Sequence, residues 1–366
     1  MFISTLIKKL QIFLPLAIIS CLVIISCTSS ANDSYLFPVR VSGKIGYINT
    51  QGKLVIDTKF DAIGARTNNF TLDELAAVDF DKKCGYINKT GKKIIDFRYD
   101  ACFDFSEGLA LVMEGSNDEP IYIDKLGNTL IDFKKLGFKF PRSASLESQP
   151  LNFSEGLSSF QMTGNEGKVG FIDKTGKIVV PAQFDFASKF SEGFSLVLSN
   201  DNGLGFIDKT GKVVINLRSL DIKSAGYFSE GLAAVSKGGK WGYIDTTGKI
   251  VIAPQFDAPG IFLDGLAQFK VGKKWGYIGK SGNIVINPIY DGTELFTEGL
   301  AAVKVNDKYG FIDKTGRMVI EPTYQSVGSL HKDRRSFYNG LALVGDKDGA
   351  FGYIDKSGNY VWKPTK

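Results

Sequence analysis

The chain has 366 residues, 43% of them hydrophobic and 12% aromatic, with a formal net charge of +5 to which Lys8 and Lys9 contribute two. What is left is nearly balanced, with no basic stripe carrying interleaved aromatics, so the sequence gives no nucleic-acid footprint. His331 is the only histidine, which leaves no H-E-x-x-H motif and no Cys/His cluster for zinc.

The first element in chain order is a targeting segment. Lys8 and Lys9 form a charged start, an apolar run follows from Ile12 to Ile25, and Ile24-Ile25-Ser26-Cys27 closes it. Two apolar residues, a small residue and a cysteine resemble a bacterial lipobox. That reading makes 1–27 a removable leader plus lipidation site, with Cys27 as the acylated new N-terminus. Ile18-Ile19-Ser20-Cys21 fits the same pattern, but cleavage there leaves Leu22–Ile25 exposed, so Cys27 is preferred. Residues 28–35 read as a polar tether. Thr28, rather than Asp, after the cysteine is compatible with outer-membrane sorting in a host with two membranes.

From residue 36 to 362 the chain repeats one phrase. Its clearest copy is Phe228-Ser229-Glu230-Gly231-Leu232-Ala233-Ala234-Val235, then Lys240-Trp241-Gly242-Tyr243-Ile244-Asp245 and, after Gly248, Lys249-Ile250-Val251-Ile252. Aligned on the turn glycine, the copies fall at Gly52, Gly91, Gly127, Gly176, Gly211, Gly248, Gly282, Gly316 and Gly358. A fixed period of this size is the mark of a repeat architecture. Asp173-Lys174-Thr175-Gly176 has Asp first and Gly fourth, as a type I turn prefers, and predicts a hairpin with a G1 bulge. The flanking β-branched runs, such as Ile178-Val179-Val180, predict strands. A further strand, such as Leu300-Ala301-Ala302-Val303, precedes each hairpin. The unit is therefore expected to be a three-stranded antiparallel meander, joined to the next through Pro and aromatic residues. Residues 363–366 read as a tail.

Lys240-Trp241-Gly242 and Lys274-Trp275-Gly276, with the downstream glycine and the E-G-L-A phrase, resemble the WG-repeat family, also called KWG repeats. Other copies replace the Trp, as Ile45-Gly46, Cys84-Gly85, Val169-Gly170, Leu204-Gly205, Tyr309-Gly310 and Phe351-Gly352. The resemblance covers nearly the whole mature chain. It implies a bacterial, often envelope-associated protein and carries over no catalytic residue.

The expected fold is all-β, a tandem array of about nine units. An open, solenoid-like stack is the first expectation, because propellers typically have four to eight blades and unit one begins with its own first strand. A closed propeller-like ring is the alternative.

Chemistry needs a constellation that breaks the repeat. Glu107, Glu155, Glu192, Glu230 and Glu298 occupy the same turn of different units, which suits capping of that turn better than a glycosidase acid pair. Asp-Lys-Thr-Gly offers one carboxylate beside a lysine, too few for calcium. Thr247-Gly248-Lys249 lacks the upstream glycine and the following helix of a phosphate loop. Two stretches depart from the repeat, Lys134–Asn152 and Ser329–Asn339, the second holding His331; either is slack or a binding loop. Cys84 and Cys102 are two small core residues or a disulfide. No catalytic residue, metal site or cofactor is assigned. The expectation is an envelope-tethered, non-catalytic binding or scaffolding module. It meets the membrane through its lipid anchor and takes an envelope protein or glycan as partner, with no nucleic acid. A hydrolase of an envelope polymer is the alternative.

Overall fold

Nine three-stranded antiparallel meanders follow one another, at residues 37–61, 75–99, 110–132, 157–184, 195–216, 232–256, 266–290, 300–324 and 342–365. The structure is a computed structural model. It describes residues 35–62, 69–115, 119–139, 152–162, 167–201, 203–328 and 336–365, all within one compact unit. The last strand, Tyr360–Thr365, runs past the expected end of the array at 362.

Each meander is built as its turn chemistry dictates. In the fourth, the Gly176 N–H donates to Asp173 O at 3.0 Å, and Gly176 sits at φ +83°. One carboxylate oxygen of Asp173 accepts the N–H groups of Thr175 (2.9 Å) and Lys177 (3.1 Å). This is the predicted type I turn with its left-handed fourth residue. The third strand then bulges against the second, with a register break between the partners of Trp241 and Tyr243 in the sixth meander. The bulge presses the third-strand backbone onto the glycine of the Trp-Gly pair. A Cβ on Gly242 would lie 2.3 Å from Ile252 O and 2.7 Å from Pro254 N. Only a residue without a side chain fits there.

Neighbouring meanders are joined by a hand-over. After the third strand ends at Phe256, Asp257 makes a one-residue link, and Ala258–Pro259 forms a short strand on the first strand of the next meander. The link repeats at Asp100, Asp185, Asp291 and Gln325. Between the first two meanders Asp61 makes the pairing itself, with Asp79. Those two meanders therefore share one six-stranded sheet, and the nine meanders form eight sheets.

The eight sheets close into a ring, a β-propeller; the open stack expected from the sequence is not what this chain builds. The interface between neighbours has a fixed chemistry. An aromatic ring on each second strand packs against the Phe that precedes the next meander, as in Tyr243–Phe262 (centroids 5.0 Å apart) and Tyr277–Phe296 (4.7 Å). The tyrosine hydroxyl donates to a carbonyl 17 residues on, Tyr243 to Gly260 O and Tyr277 to Glu294 O. The ninth meander meets the first through residues of the first strand itself: Tyr353 packs on Phe37 at 5.5 Å and donates to Pro38 O at 2.8 Å. Phe37, Val39, Ile48, Leu341 and Tyr353 form one buried cluster across this seam. Among the described residues no strand is exchanged between the first and ninth meanders. The first meander keeps its own first strand, and closure keeps the tyrosine ring and hydroxyl contacts of the other interfaces but draws both partners from that strand. A count of nine units therefore did not exclude a ring.

Cys84 and Cys102 form a disulfide, closing the choice the sequence left open. Cys84 sits on the second strand of the second meander, and Cys102 on the short strand that caps the third. The bridge spans 18 residues and fastens one meander to the next. Replacing both cysteines by alanine is expected to lower stability by about 3 kcal/mol, the chain-entropy value for a loop of this length. Urea unfolding of the variant against the oxidised protein measures it.

Candidate functional site

The repeated glutamates are fasteners. Glu107, Glu155, Glu192, Glu230 and Glu298 all have positive φ, between 52° and 54°, at the tip of the turn before each first strand. Each carboxylate accepts the N–H of the turn glycine in the next meander: Glu107 from Gly156 (3.0 Å), Glu192 from Gly231 (2.8 Å), Glu298 from Gly340 (3.0 Å). Asp264 takes the same role toward Gly299 at 3.2 Å. The turn lysine of the next meander adds an ion pair, as in Lys174–Glu107 and Lys356–Glu298. The preceding serine joins in, with Ser229 Oγ donating to Phe262 O at 2.6 Å. The sequence placed these carboxylates in a turn; the structure shows that the turn they hold belongs to the neighbour.

The other end of the strands has its own set. Lys240 pairs with the link residue Asp257, and Lys274 with Asp291. The second oxygen of Asp257 accepts the N–H of Gly272 in the following meander, at 2.6 Å. The lysine of the Lys-Trp-Gly phrase thus anchors the hand-over. These pairs are solvent-exposed, so each is individually weak.

Link aspartates and hairpin-turn aspartates ionise more readily than free ones. Lys240 beside Asp257 and Lys274 beside Asp291 hold those carboxyls below the usual range. The hydroxyls of Thr175, Thr210 and Thr247 do the same for Asp173, Asp208 and Asp245. Asp313, bonded first by Thr315, falls to about 2 from an ordinary value of 3.8. A folded pKa below the unfolded one stabilises above the unfolded value and loses that contribution as pH falls through the folded value. The melting temperature is therefore expected to hold from neutral pH down to about 4 and to fall steadily toward pH 2. Calorimetry across that range measures the decline.

Cys27, Cys21 and His331 lie outside the described residues. Of the Lys134–Asn152 stretch, residues 134–139 and 152 are described: Lys134–Leu136 turn, and Phe138–Lys139 forms the short strand of the third sheet, on the fourth meander, with Phe138 buried. Of Ser329–Asn339, only Ser336–Asn339 is described; it leads into the ninth meander, and Phe337 packs on Phe311 at 5.1 Å. Among the described residues no group of three or more His, Cys, Asp or Glu could hold a metal ion.

Once the fasteners are set apart, one feature of the ring is unequal around its circumference. At the Trp position of the second strand, the early meanders carry Ile45, Cys84 and Val169, all buried. Consecutive later meanders carry Trp241, Trp275 and Tyr309, all half-buried, followed by Phe351, which is exposed. At the same strand ends the sixth to eighth meanders bring Lys237, Lys240, Lys270, Lys273, Lys274, Lys304 and Lys308 against Asp257, Asp291 and Asp307. The turn leading in adds Lys223 and Asp221, which cancel. Lys270 Nζ lies 5.6 Å from the Trp275 ring centroid, and Lys304 Nζ 6.0 Å from that of Tyr309. The second meander differs at this end, with Asp79, Asp81 and Asp100 against Lys82 and Lys83. The sequence reading missed this arc because it looked for a basic stripe in the chain as a whole and found the charge nearly balanced. The missed signal was K-x-x-K-W, or its near equivalent, in three successive copies.

Seven stretches of the chain match the WG containing repeat family, at residues 45–84, 85–117, 170–202, 205–241, 241–275, 275–309 and 309–349. No curated protein matches the sequence. Among solved structures, the chain is similar to the computationally designed protein Ika8, with 11% identity, 77% of this chain and 93% of that one covered, and a TM-score of 0.44. It is also similar to BamB from Moraxella catarrhalis, with 11% identity, coverage of 89% and 97%, and a TM-score of 0.43. The family matches span more than half of the sequence, and the chain belongs to the WG containing repeat family. A WG-repeat propeller suggests a non-catalytic repeat or binding module.

Proposed function

We propose that this WG-repeat protein is an envelope-tethered, non-catalytic binding module, anchored by lipid on Cys27 and facing outside the cytoplasm, with an envelope protein or glycan as its partner. The observation that carries the proposal is the use made of the repeated carboxylates. Glu107, Glu155, Glu192, Glu230 and Glu298 are each engaged by a neighbour's turn glycine. A rigid ring with its repeated acids committed to assembly offers surface rather than an acid pair. The Cys84–Cys102 bridge supports export, because disulfides form and persist in oxidising compartments.

Two measurements test the proposal. Metabolic labelling with a fatty-acid probe should mark the protein and be lost in Cys27→Ala; label surviving there but lost in Cys21→Ala moves the anchor, and no label at all removes it. The purified full chain in detergent should retain a member of a panel of envelope glycans and proteins without altering it. Steady cleavage of a polymer, abolished by changing one carboxylate, would establish the hydrolase alternative instead.

A further inference from the structure

We infer that the sixth to eighth meanders form a binding arc for an anionic glycan, stacked on Trp241, Trp275 and Tyr309 and held by the lysines beside them. The inference rests on the binding-module reading and specifies its ligand and its place on the ring.

The repeat supplies an internal control. Ile45, Cys84 and Val169 fill the Trp position in meanders with the same hairpin, the same bulge and the same glycine. The scaffold therefore accepts an aliphatic residue there, burying Ile45 and Val169, while Cys84 is held in its disulfide. The two tryptophans and Tyr309 exceed that requirement and remain partly exposed. They do so in three successive meanders, where a continuous chain can meet them in turn. Large rings with few rotatable bonds give contact area at low entropic cost.

The polar groups beside the rings select the ligand. The sixth to eighth meanders carry an excess of four lysines at this end, seven against three aspartates. That attracts a chain of moderate negative charge. The aspartates matter as much. Asp257 and Asp291 sit among the lysines, with Lys240 and Lys274 on one oxygen of each and the N–H groups of Gly272 and Asn306 on the other; each oxygen keeps a second lone pair that can accept. A sugar hydroxyl can donate to a carboxylate; a phosphodiester has no donor and is repelled by it. A pyranose also offers a C–H face to an aromatic ring while its carboxylate meets a flanking ammonium. Acidic sugars thus match rings, lysines and aspartates together, whereas a nucleic acid matches only the first two.

The test uses the full chain in detergent and three immobilised probes: polygalacturonate, neutral dextran and oligo-dT. The expected result is retention on polygalacturonate that weakens with salt, and little on dextran. The key variants borrow the ring's own alternatives: Trp241→Ile and Trp275→Val, as in the first and fourth meanders, and Lys270→Ser, as in the sixth. Each should fold to the same ring with at most a modest drop in melting temperature, and the tryptophan variants should bind polygalacturonate roughly tenfold more weakly. Unchanged binding by the variants, salt-independent binding to dextran, tighter binding to oligo-dT, or no retention on polygalacturonate would each overturn the arc. These outcomes leave the binding-module reading intact. Shortening of the polygalacturonate during incubation would overturn that reading instead.

Discussion

Gly276→Val is expected to destabilise the ring by about 3 kcal/mol or more, the upper range for overpacking a closed core. The Cβ of any replacement would lie 2.4 Å from Ile286 O and 2.8 Å from both Asn287 C and Pro288 N. All three atoms are backbone, so no rotamer change relieves the clash. Relief requires undoing the bulge, and the bulge directs the third strand into its link at Asp291 and on to the next meander. Gly265→Ala gives the contrast. Nothing lies within 4 Å of a Cβ there, but φ is +83°, so the cost is backbone strain alone, on the order of 1 kcal/mol. Urea unfolding of the pair should show the first variant losing far more than the second.

Phe37→Ala should remove about 3–5 kcal/mol, as truncation of a buried Phe does elsewhere, and it should act at the seam. Phe37 is 2% exposed and packs edge-on to Tyr353. Removing it leaves the cavity between the first and last meanders, where the chain makes no covalent hand-over. The equivalent change at Phe262 strikes an interface that also has the Asp257 link and the Ala258–Pro259 strand. Hydrogen exchange should therefore show opening concentrated in the first and ninth meanders for Phe37→Ala, and no such bias for Phe262→Ala. Equal exchange in the two variants would mean that the seam is no weaker than its neighbours.

Much of this fold was legible because each turn repeats a local rule. Asp at the first and Gly at the fourth position of the hairpin turn predict the G1 bulge wherever they occur, and the glycine before Tyr243 or Tyr277 announces a close backbone approach. Closure was not legible. Tyr353 looks like Tyr243 and Tyr277, whose acceptors lie 17 residues ahead, and nothing in the local phrase says that its own acceptor is Pro38, far back in the chain. Ring and stack use the same interface; they differ only in the small rotation from unit to unit, which the local pattern does not encode. The glutamates were legible in part, since a turn residue was expected to bond a turn. Their partner lies in the next meander, 35 to 49 residues away. The aromatic arc was hidden by the same repetition. A Trp in a repeat phrase reads as one more core residue, and its exposure depends on the strand ends around it.

The central claim is that the ends of the repeat meet, and a short thiol-specific cross-linker tests it most directly. Tyr35 and Tyr338 face each other across the seam with ring centroids 6.2 Å apart. With the remaining cysteines other than the Cys84–Cys102 pair replaced, Tyr35→Cys with Tyr338→Cys should cross-link within a single chain in high yield. The product should migrate as a compact species in denaturing gels. An open stack would hold these residues at opposite ends of the array. Absence of the intramolecular product, with cross-linked dimers in its place, would contradict the ring.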